Sequence, residues 1–352
     1  MNAPKKRNVA ALCGDGHIRL IEQDTPPLRD GAVLLEVHAS LVSPGTELGG
    51  WRALAAKRDS PDADAEPRPF GYSNAGVVLE VGDGVDEFGP GDRVACIGGG
   101  YAMHADYAVV PHNLCVALPQ AVTFVQGSYA MLSATALHAL RRGSPEFGHT
   151  TVIVGLGIVG QLAAQIHQRA GCYVVGWDTI GFRVETAGKW GIDAAVLVGS
   201  EDPVARTRAF TGDYGVDSGV LAFGGEADTA VKNLEQCLKV SPDGHPMGVI
   251  VAVGGPRFAY TSTLTNVDIR RSSRTGCGYH DEAWEHGPAY PPVFMRWTTR
   301  TNLELCMRMI AEQRLDVDVL TTHTVPLNRA DEGTSAALDK PDNILGLAFV
   351  RS

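Results

Sequence analysis

The sequence predicts an α/β protein in which a doubly wound parallel sheet is inserted into a smaller, mostly antiparallel β domain. Three observations predict it. From Val33 to Val81, short apolar runs alternate with Gly and Pro punctuation, the rhythm of strands joined by tight turns. From Thr150 to Val253, strand-like and helix-like segments alternate, which makes a parallel sheet covered on both faces. After Tyr279 the remaining elements are too few for a third domain and are expected to complete the first. Residues 1–131 with 278–352 are therefore expected to form one domain, and 132–277 the inserted one.

The elements follow in order. Lys5-Lys6-Arg7 runs straight into Val9-Ala10-Ala11-Leu12, a solvated start to a first strand. Strands are expected at 32–37 and 75–81, at 93–97 after the Pro90-Gly91-Asp92 turn, and at 105–111. The stretch 52–69 is charged and rich in Pro and Ala, and reads as a surface excursion. Helical periodicity appears over 126–140. A strand at 151–154, a helix at 161–170, a strand at 173–178 and a helix at 184–190 come next. Strands at 194–198 and 218–222, a helix over 227–238 and a strand at 249–253 end the alternation. A helix at 302–312 and strand-like segments at 321–325 and 344–350 close the chain.

Composition narrows the function. Hydrophobic residues at 44% and charged residues at 20% describe an ordinary globular interior and surface. A formal net charge of -10 argues against nucleic acid and anionic membranes as partners. No stretch is apolar enough for a secretory signal or a membrane span. The seven cysteines are scattered without a C-x-x-C pair, so neither a disulfide framework nor a zinc knuckle is signalled. A reducing compartment, the cytoplasm, is expected, with most cysteines buried as small apolar residues.

Gly155-Leu156-Gly157-Ile158-Val159-Gly160 is G-x-G-x-x-G, set between an apolar strand and a helix. In that context it is the Rossmann dinucleotide fingerprint. Gly155 makes the tight turn, Gly157 lets the backbone approach the pyrophosphate, and Gly160 lets helix and sheet pack closely. Ile158 and Val159 open the helix, whose free N–H groups meet the phosphate charge. Asp178 closes the second strand, where an acid grips the adenine ribose and repels a 2′-phosphate. NAD is therefore favoured over NADP. Arg183 nearby either tolerates a 2′-phosphate or is a surface or adenine-stacking residue.

With these residues in place, the chain resembles the medium-chain dehydrogenase/reductase superfamily over almost its whole length. The stretch Gly71-Tyr72-Ser73-Asn74-Ala75-Gly76-Val77-Val78-Leu79-Glu80-Val81-Gly82 is similar to the family's G-H-E-x-x-G-x-V-x-x-V-G signature. Gly91-Asp92-Arg93-Val94, the strand at 105–111 and Thr322-His323-Thr324-Val325-Pro326-Leu327 resemble further family motifs. The resemblance implies a Rossmann domain within a GroES-like catalytic domain, and a homodimer paired through the last Rossmann strand, near 272–276. It also implies cofactor contacts at Thr46, Thr135, Val253 and Gly254. The family's catalytic zinc ligands fall by motif position on Ser43, Tyr72 with Ser73, and Met131, none of them an imidazole or a thiolate. The cysteines of a structural zinc lobe are missing too, so no zinc is expected. Ser43-Pro44-Gly45-Thr46-Glu47 and the stretch 290–298 are similar to a zinc-less branch that includes bacteriochlorophyllide hydroxyethyl dehydrogenases and the dehydrogenase halves of bi-domain sugar-cluster oxidoreductases.

Without a metal, side chains must manage the hydroxyl proton and the developing oxyanion. Tyr72 stands where the family has a zinc-ligating His. Its phenol either exchanges a proton with the substrate oxygen, which as a base requires a lowered pKa, or packs as a core aromatic. Glu47 orients a ribose, relays a proton or caps the next helix. His280, after Gly276-Cys277-Gly278-Tyr279, and His104, beyond Gly98-Gly99-Gly100, are the other candidates. Arg296, with Trp297 beside it, either anchors an anionic or polyol substrate or forms an interface ion pair. The reading that results is a zinc-independent NAD(H) oxidoreductase acting on a small-molecule alcohol, polyol or ketone. A quinone or enoyl reductase and a non-catalytic dinucleotide-binding sensor stand as alternatives.

Overall fold

The computed structural model describes residues 4–352 and divides into two units. One takes the chain up to Ala134 together with Gly276–Gln313 and Thr321–Ser352. The other takes Thr135–Thr275 and Arg314–Leu320.

The first unit is built on Ala32–Leu41, a ten-residue strand buried along most of its length. It pairs antiparallel with Ser73–Val81, Tyr107–Pro111 and Gly346–Val350. Arg93–Ile97 and Cys115–Ala117 extend the sheet on one side, and Thr321–Pro326 on the other. The C-terminal strands thus complete the N-terminal sheet. Ile18–Asp24, Lys6–Leu12 and Arg68–Pro69 form a smaller sheet. The stretch expected as a surface excursion is partly ordered: Trp51–Asp59 is a helix whose Leu54 is buried in a cluster with Leu12, Val42, Phe70 and Phe349. One buried apolar residue per two turns is too weak a periodic signal to read from sequence.

The second unit is a Rossmann sheet. Its parallel strands run Ala194–Leu197, Tyr173–Asp178, Thr150–Val154, Ser218–Leu221, Pro246–Val253 and Asn266–Ser272. The order reverses between Thr150–Val154 and Ser218–Leu221, the switch point where such sheets hold ligands. Val152, Val154, Val175, Trp177, Leu221 and Ile250 form the buried layer. The last strand is Asn266–Ser272, not 272–276 as expected. Of its polar residues on the sheet edge, Asp268 and Arg271 are exposed and Arg270 half-buried, so it lacks the apolar run that marks an interior strand. The helix Pro203–Phe210, capped by Asp202, and the helix Ala330–Asp339 also went unread. The helix expected at 126–140 is two: Phe124–Gly127, opened by a Thr123/Gln126 capping box, and Ala130–Gly143. The segment Arg314–Leu320, expected in the first domain, joins the second. Gln165 exchanges two hydrogen bonds with the Asp316 backbone, at 2.9 and 2.7 Å.

Six of the cysteines are buried, and Cys277 is exposed. Among the described residues no helix is long and apolar enough to cross a membrane.

His167, on the helix Ile158–Arg169, is buried and donates from Nδ1 to the Ala163 carbonyl at 2.7 Å. Burial pushes its pKa down to about 4 from an ordinary 6.5, against a smaller pull from that hydrogen bond. Between those two values the unfolded chain binds a proton that the folded chain refuses. Stability therefore falls as pH drops below about 6.5 and levels off below about 4. The group accounts for about 3 kcal/mol over that window. Urea melts at pH 7 and pH 4.5 check this: His167→Leu is expected to lose less stability between them than the wild type does.

Candidate functional site

In the second unit the strand Thr150–Val154 ends at Gly155, whose φ of 91° only glycine adopts readily. A side chain there would press within 3.2 Å of the Ala222 carbonyl. At Gly160 the first side-chain carbon would fall 1.7 Å from the Gly155 carbonyl, so this glycine is what lets the helix start lie on the turn. At Gly157, the residue before the helix Ile158–Arg169, nothing lies within 4 Å of that position. The helix N-terminus therefore faces open space with its first N–H groups unshielded, a geometry that fits a diphosphate. Ile158 is buried and Val159 half-buried.

Asp178 ends the strand Tyr173–Asp178 and is buried. Its carboxylate holds the turn: Oδ2 accepts from the Leu156 N–H at 2.7 Å and Oδ1 from the Ile180 N–H at 2.8 Å. Arg183 approaches Oδ2 at 3.5 Å. Oδ2 thus meets two donors and Oδ1 one, so Oδ1 keeps a lone pair with capacity for a ribose hydroxyl. Gln161, which the sequence reading passed over, locks the turn from the other side. Its amide donates to the Leu156 and Arg183 carbonyls at 3.1 and 2.8 Å and accepts from the Trp190 indole at 2.7 Å. A Gln directly after the last glycine of the turn, among the apolar residues of the helix start, is the signal that would have found it. Val253 is buried at the end of its strand, Gly254 turns with a φ of 73°, and Thr135 is half-buried on Ala130–Gly143.

In the first unit the structure brings Glu47 and His104 together. Glu47 ends the short helix Pro44–Glu47, and its Oε2 accepts from the Ser43 N–H at 2.6 Å. The carboxylate therefore bonds back to the residue before its own helix, while the ring of His104 packs against it. Both carboxylate oxygens lie 3.3 Å from His104 Nε2, but only Oε2 does so in hydrogen-bonding geometry, and Oε1 is left without a bond. The other ring nitrogen, Nδ1, meets the Ser40 hydroxyl at 2.7 Å. The rings of Phe70 and Phe349 stand edge-on to His104, at 4.8 and 5.1 Å. Its backbone is clamped as well: its carbonyl accepts from Ala10 at 2.8 Å and its N–H donates to Phe70 at 3.1 Å. Ser40, on the central strand opposite Asn74 and Phe349, carried no sequence signal of its own.

Tyr72 is buried next to this group. Burial, and then the charge of Glu47, push its phenol far above the ordinary range, while the hydroxyls of Ser43 and Thr46 pull the other way. A base would need a lowered pKa, and the surroundings do the opposite. Tyr72 stays a neutral donor. Thr46 itself is exposed.

His280 follows Tyr279, whose charge bears on Tyr72. It is exposed, sits at a φ of 70° and stacks on Tyr279 at 4.0 Å. Its backbone N–H is held by Glu285 at 2.7 Å, and the Tyr279 hydroxyl accepts from Gly99 at 3.0 Å. Arg296 and Trp297 are exposed, with the guanidinium 4.5 Å over the indole ring.

The positions that correspond to a zinc shell hold the wrong donors. Ser43 and Tyr72 offer hydroxyls and Met131 a thioether. The Ser73 hydroxyl is already committed, donating to the Ser128 carbonyl at 2.7 Å and accepting from the Met131 N–H at 3.2 Å. This set does not fit a tetrahedral zinc ion.

An antiparallel sheet interrupted by a Rossmann sheet with a glycine-lined turn defines the alcohol dehydrogenase-like class of two-unit folds. Residues 29–120 match the alcohol dehydrogenase GroES-like domain. The chain is 26% identical over 367 residues to the sorbitol dehydrogenase of Mus musculus, covering 96% of this chain and 95% of that one. It is 31% identical over 255 residues to the L-threonine 3-dehydrogenase of Pyrococcus abyssi, covering 64% and 70%. Among solved structures, the alcohol dehydrogenase TADH from Thermus sp. ATN1 superposes with a TM-score of 0.77 at 19% identity, covering 98% and 100%. This chain belongs to the medium-chain dehydrogenase/reductase superfamily.

Proposed function

We propose that the chain is a zinc-independent oxidoreductase that transfers hydride between NAD(H) and an alcohol, polyol or ketone. The observation that carries this reading is a neutral, buried Tyr72 in the place of a zinc-ligating histidine, backed by a buried Glu47. Relatives named for sorbitol and threonine oxidation support a hydroxyl-bearing substrate.

The diphosphate would rest on the helix start at Gly157, with Asp178 toward the adenine ribose. Bound nicotinamide supplies the hydride acceptor or donor. The chain's own residues handle the oxygen. Tyr72 donates a hydrogen bond to it, stabilising negative charge as the carbonyl interconverts with the alkoxide. Glu47, whose charge bears on the phenol and whose Oε1 makes no hydrogen bond, serves as the proton acceptor of this reading. A carboxylate at the ribose position disfavours a 2′-phosphate, so NAD(H) is the cofactor of this reading.

Fluorescence titration with NADH and NADPH, followed by a panel of secondary alcohols, polyols and enones, tests it. NADH is expected to bind about tenfold or more tighter than NADPH, a difference of about 1.4 kcal/mol. Turnover is expected on alcohols or polyols, by protein that carries far less than one zinc per chain. Tighter NADPH binding, stoichiometric zinc in active protein, or turnover of enones alone would each refute the corresponding part.

A further inference from the structure

We propose that the turn 291–297 of the first unit docks into an aromatic-walled groove on the second unit of another copy of this chain. The contact is separate from the pairing expected along the last Rossmann strand and uses no residue of Asn266–Ser272.

The groove lies at the end of the parallel sheet away from the glycine turn. Thr150 and Tyr173 open their strands and Asp217 precedes the strand Ser218–Leu221, whereas Gly155 and Asp178 stand at the opposite strand ends. A dinucleotide on the helix start at Gly157 therefore does not account for it. Its volume is about 630 Å³, and Tyr173, Phe210, Tyr214 and Val240 wall it. All four are exposed, Tyr214 at 88%. Large apolar side chains gathered around one groove mark an interaction surface, unlike the scattered exposure of an ordinary surface. Aromatic-lined grooves suit apolar segments stiffened by proline.

The same chain carries such a segment. In Pro291-Pro292-Val293-Phe294, Val293 is 84% exposed and Phe294 83%. Slack chain is not the cause. The Pro291 carbonyl accepts from the N–H groups of Phe294 and Met295, at 3.0 and 3.1 Å. Before the turn, Tyr290 stacks on Trp284 at 5.7 Å and its hydroxyl donates to the Asp281 carboxylate. Beyond it, Thr298 caps the helix Thr299–Ala311 and pairs with Cys277. A tip already held in shape loses little conformational freedom on docking.

The charges agree. Arg296 is the sole charged residue from Gly287 to Thr299. On the groove, Lys239 is paired with Asp217 at 2.7 Å. Asp213, beside the lining Tyr214, and Glu146, two residues before the lining Gly148, are exposed. A cation on the tip thus meets a rim with surplus negative charge, which favours this pairing over tip against tip or groove against groove.

The test is sedimentation velocity over a range of concentrations on the full chain. It compares wild type, Phe294→Asp, Tyr214→Asp and an equimolar mixture of the two variants. Both positions are exposed, so each variant should melt with wild type. Phe294→Ser and Tyr214→Ser replace either one that melts early. Each variant alone is expected to associate about tenfold or more weakly than wild type. The mixture should recover a species larger than either variant alone, because the turn of the Tyr214→Asp chain still fits the groove of the Phe294→Asp chain. Wild type that sediments like both variants at every concentration overturns the proposal and leaves the groove to an occupant other than this chain. Loss confined to one variant, the mark of a surface that pairs with itself, overturns it too. So does loss in both variants without recovery on mixing.

Discussion

Tyr72→Phe is expected to lower kcat for alcohol oxidation by about 10² to 10³-fold while leaving NADH affinity within about twofold. The magnitude is that of removing one pre-aimed donor from a developing oxyanion in a water-poor site, where hydrogen bonds act at low effective dielectric. The phenol qualifies because it cannot ionise. It is buried, and Glu47 adds like charge against the phenolate, so the proton stays on the oxygen throughout the working pH range. Phe removes that hydroxyl and keeps the ring, so the packing that buries Tyr72 survives. Steady-state kinetics with a parallel NADH titration check it. If kcat and KM are both retained, Tyr72 is a core aromatic and the proposed chemistry has lost its donor. A raised KM with kcat unchanged would instead place the phenol in uniform binding of substrate and transition state.

Asp178→Ala is expected to weaken NADH by about tenfold or more and to destabilise the second unit by about 2 to 5 kcal/mol. The two effects share a cause. The carboxylate accepts the N–H groups of Leu156, which is buried, and Ile180, which is part-buried, and removing it leaves both without that partner. An orphaned buried donor costs about 1 to 3 kcal/mol, and a loosened turn no longer presents the helix start to a diphosphate. Asp178→Asn separates charge from shape. It keeps one acceptor oxygen but removes the negative charge, so the preference for NADH over NADPH should shrink even if folding is retained. Urea unfolding and paired NADH and NADPH titrations measure both. An Asp178→Asn protein with the full wild-type preference would move cofactor selection elsewhere, to Arg183 first.

Much of the second unit was legible in the chain. The strand at 173–178 matches its expected bounds, because its apolar run is interior and ends at a charged residue. The glycine turn is readable because each glycine answers a different local demand, a left-handed φ at Gly155 and a close approach at Gly160. The strand Asn266–Ser272 was not, since an edge strand carries the same polar residues as a loop. The helix Ala330–Asp339 holds a glycine and small polar residues, and its helicity comes from packing on the sheet rather than from propensity. Arg296 and Trp297 offered either a substrate anchor or an interface ion pair by their chemistry, and that they stack on each other and are exposed follows only from the fold.

What the amino-acid order determined by itself is the inventory: a dinucleotide-type turn, an acid at the end of the next strand, and hydroxyl and thioether groups where a zinc shell would need imidazole and thiolate. These are readable because residue identity and short-range spacing are local properties. Only the tertiary structure decided which titratable groups meet and in what state. Glu47 and His104 are 57 positions apart and His104 and Ser40 are 64, so no local pattern joins them. The direction of the Tyr72 pKa likewise depends on how much water the folded chain excludes and on where one carboxylate comes to rest, and desolvation and Coulomb terms are set by distances that only the closed core creates.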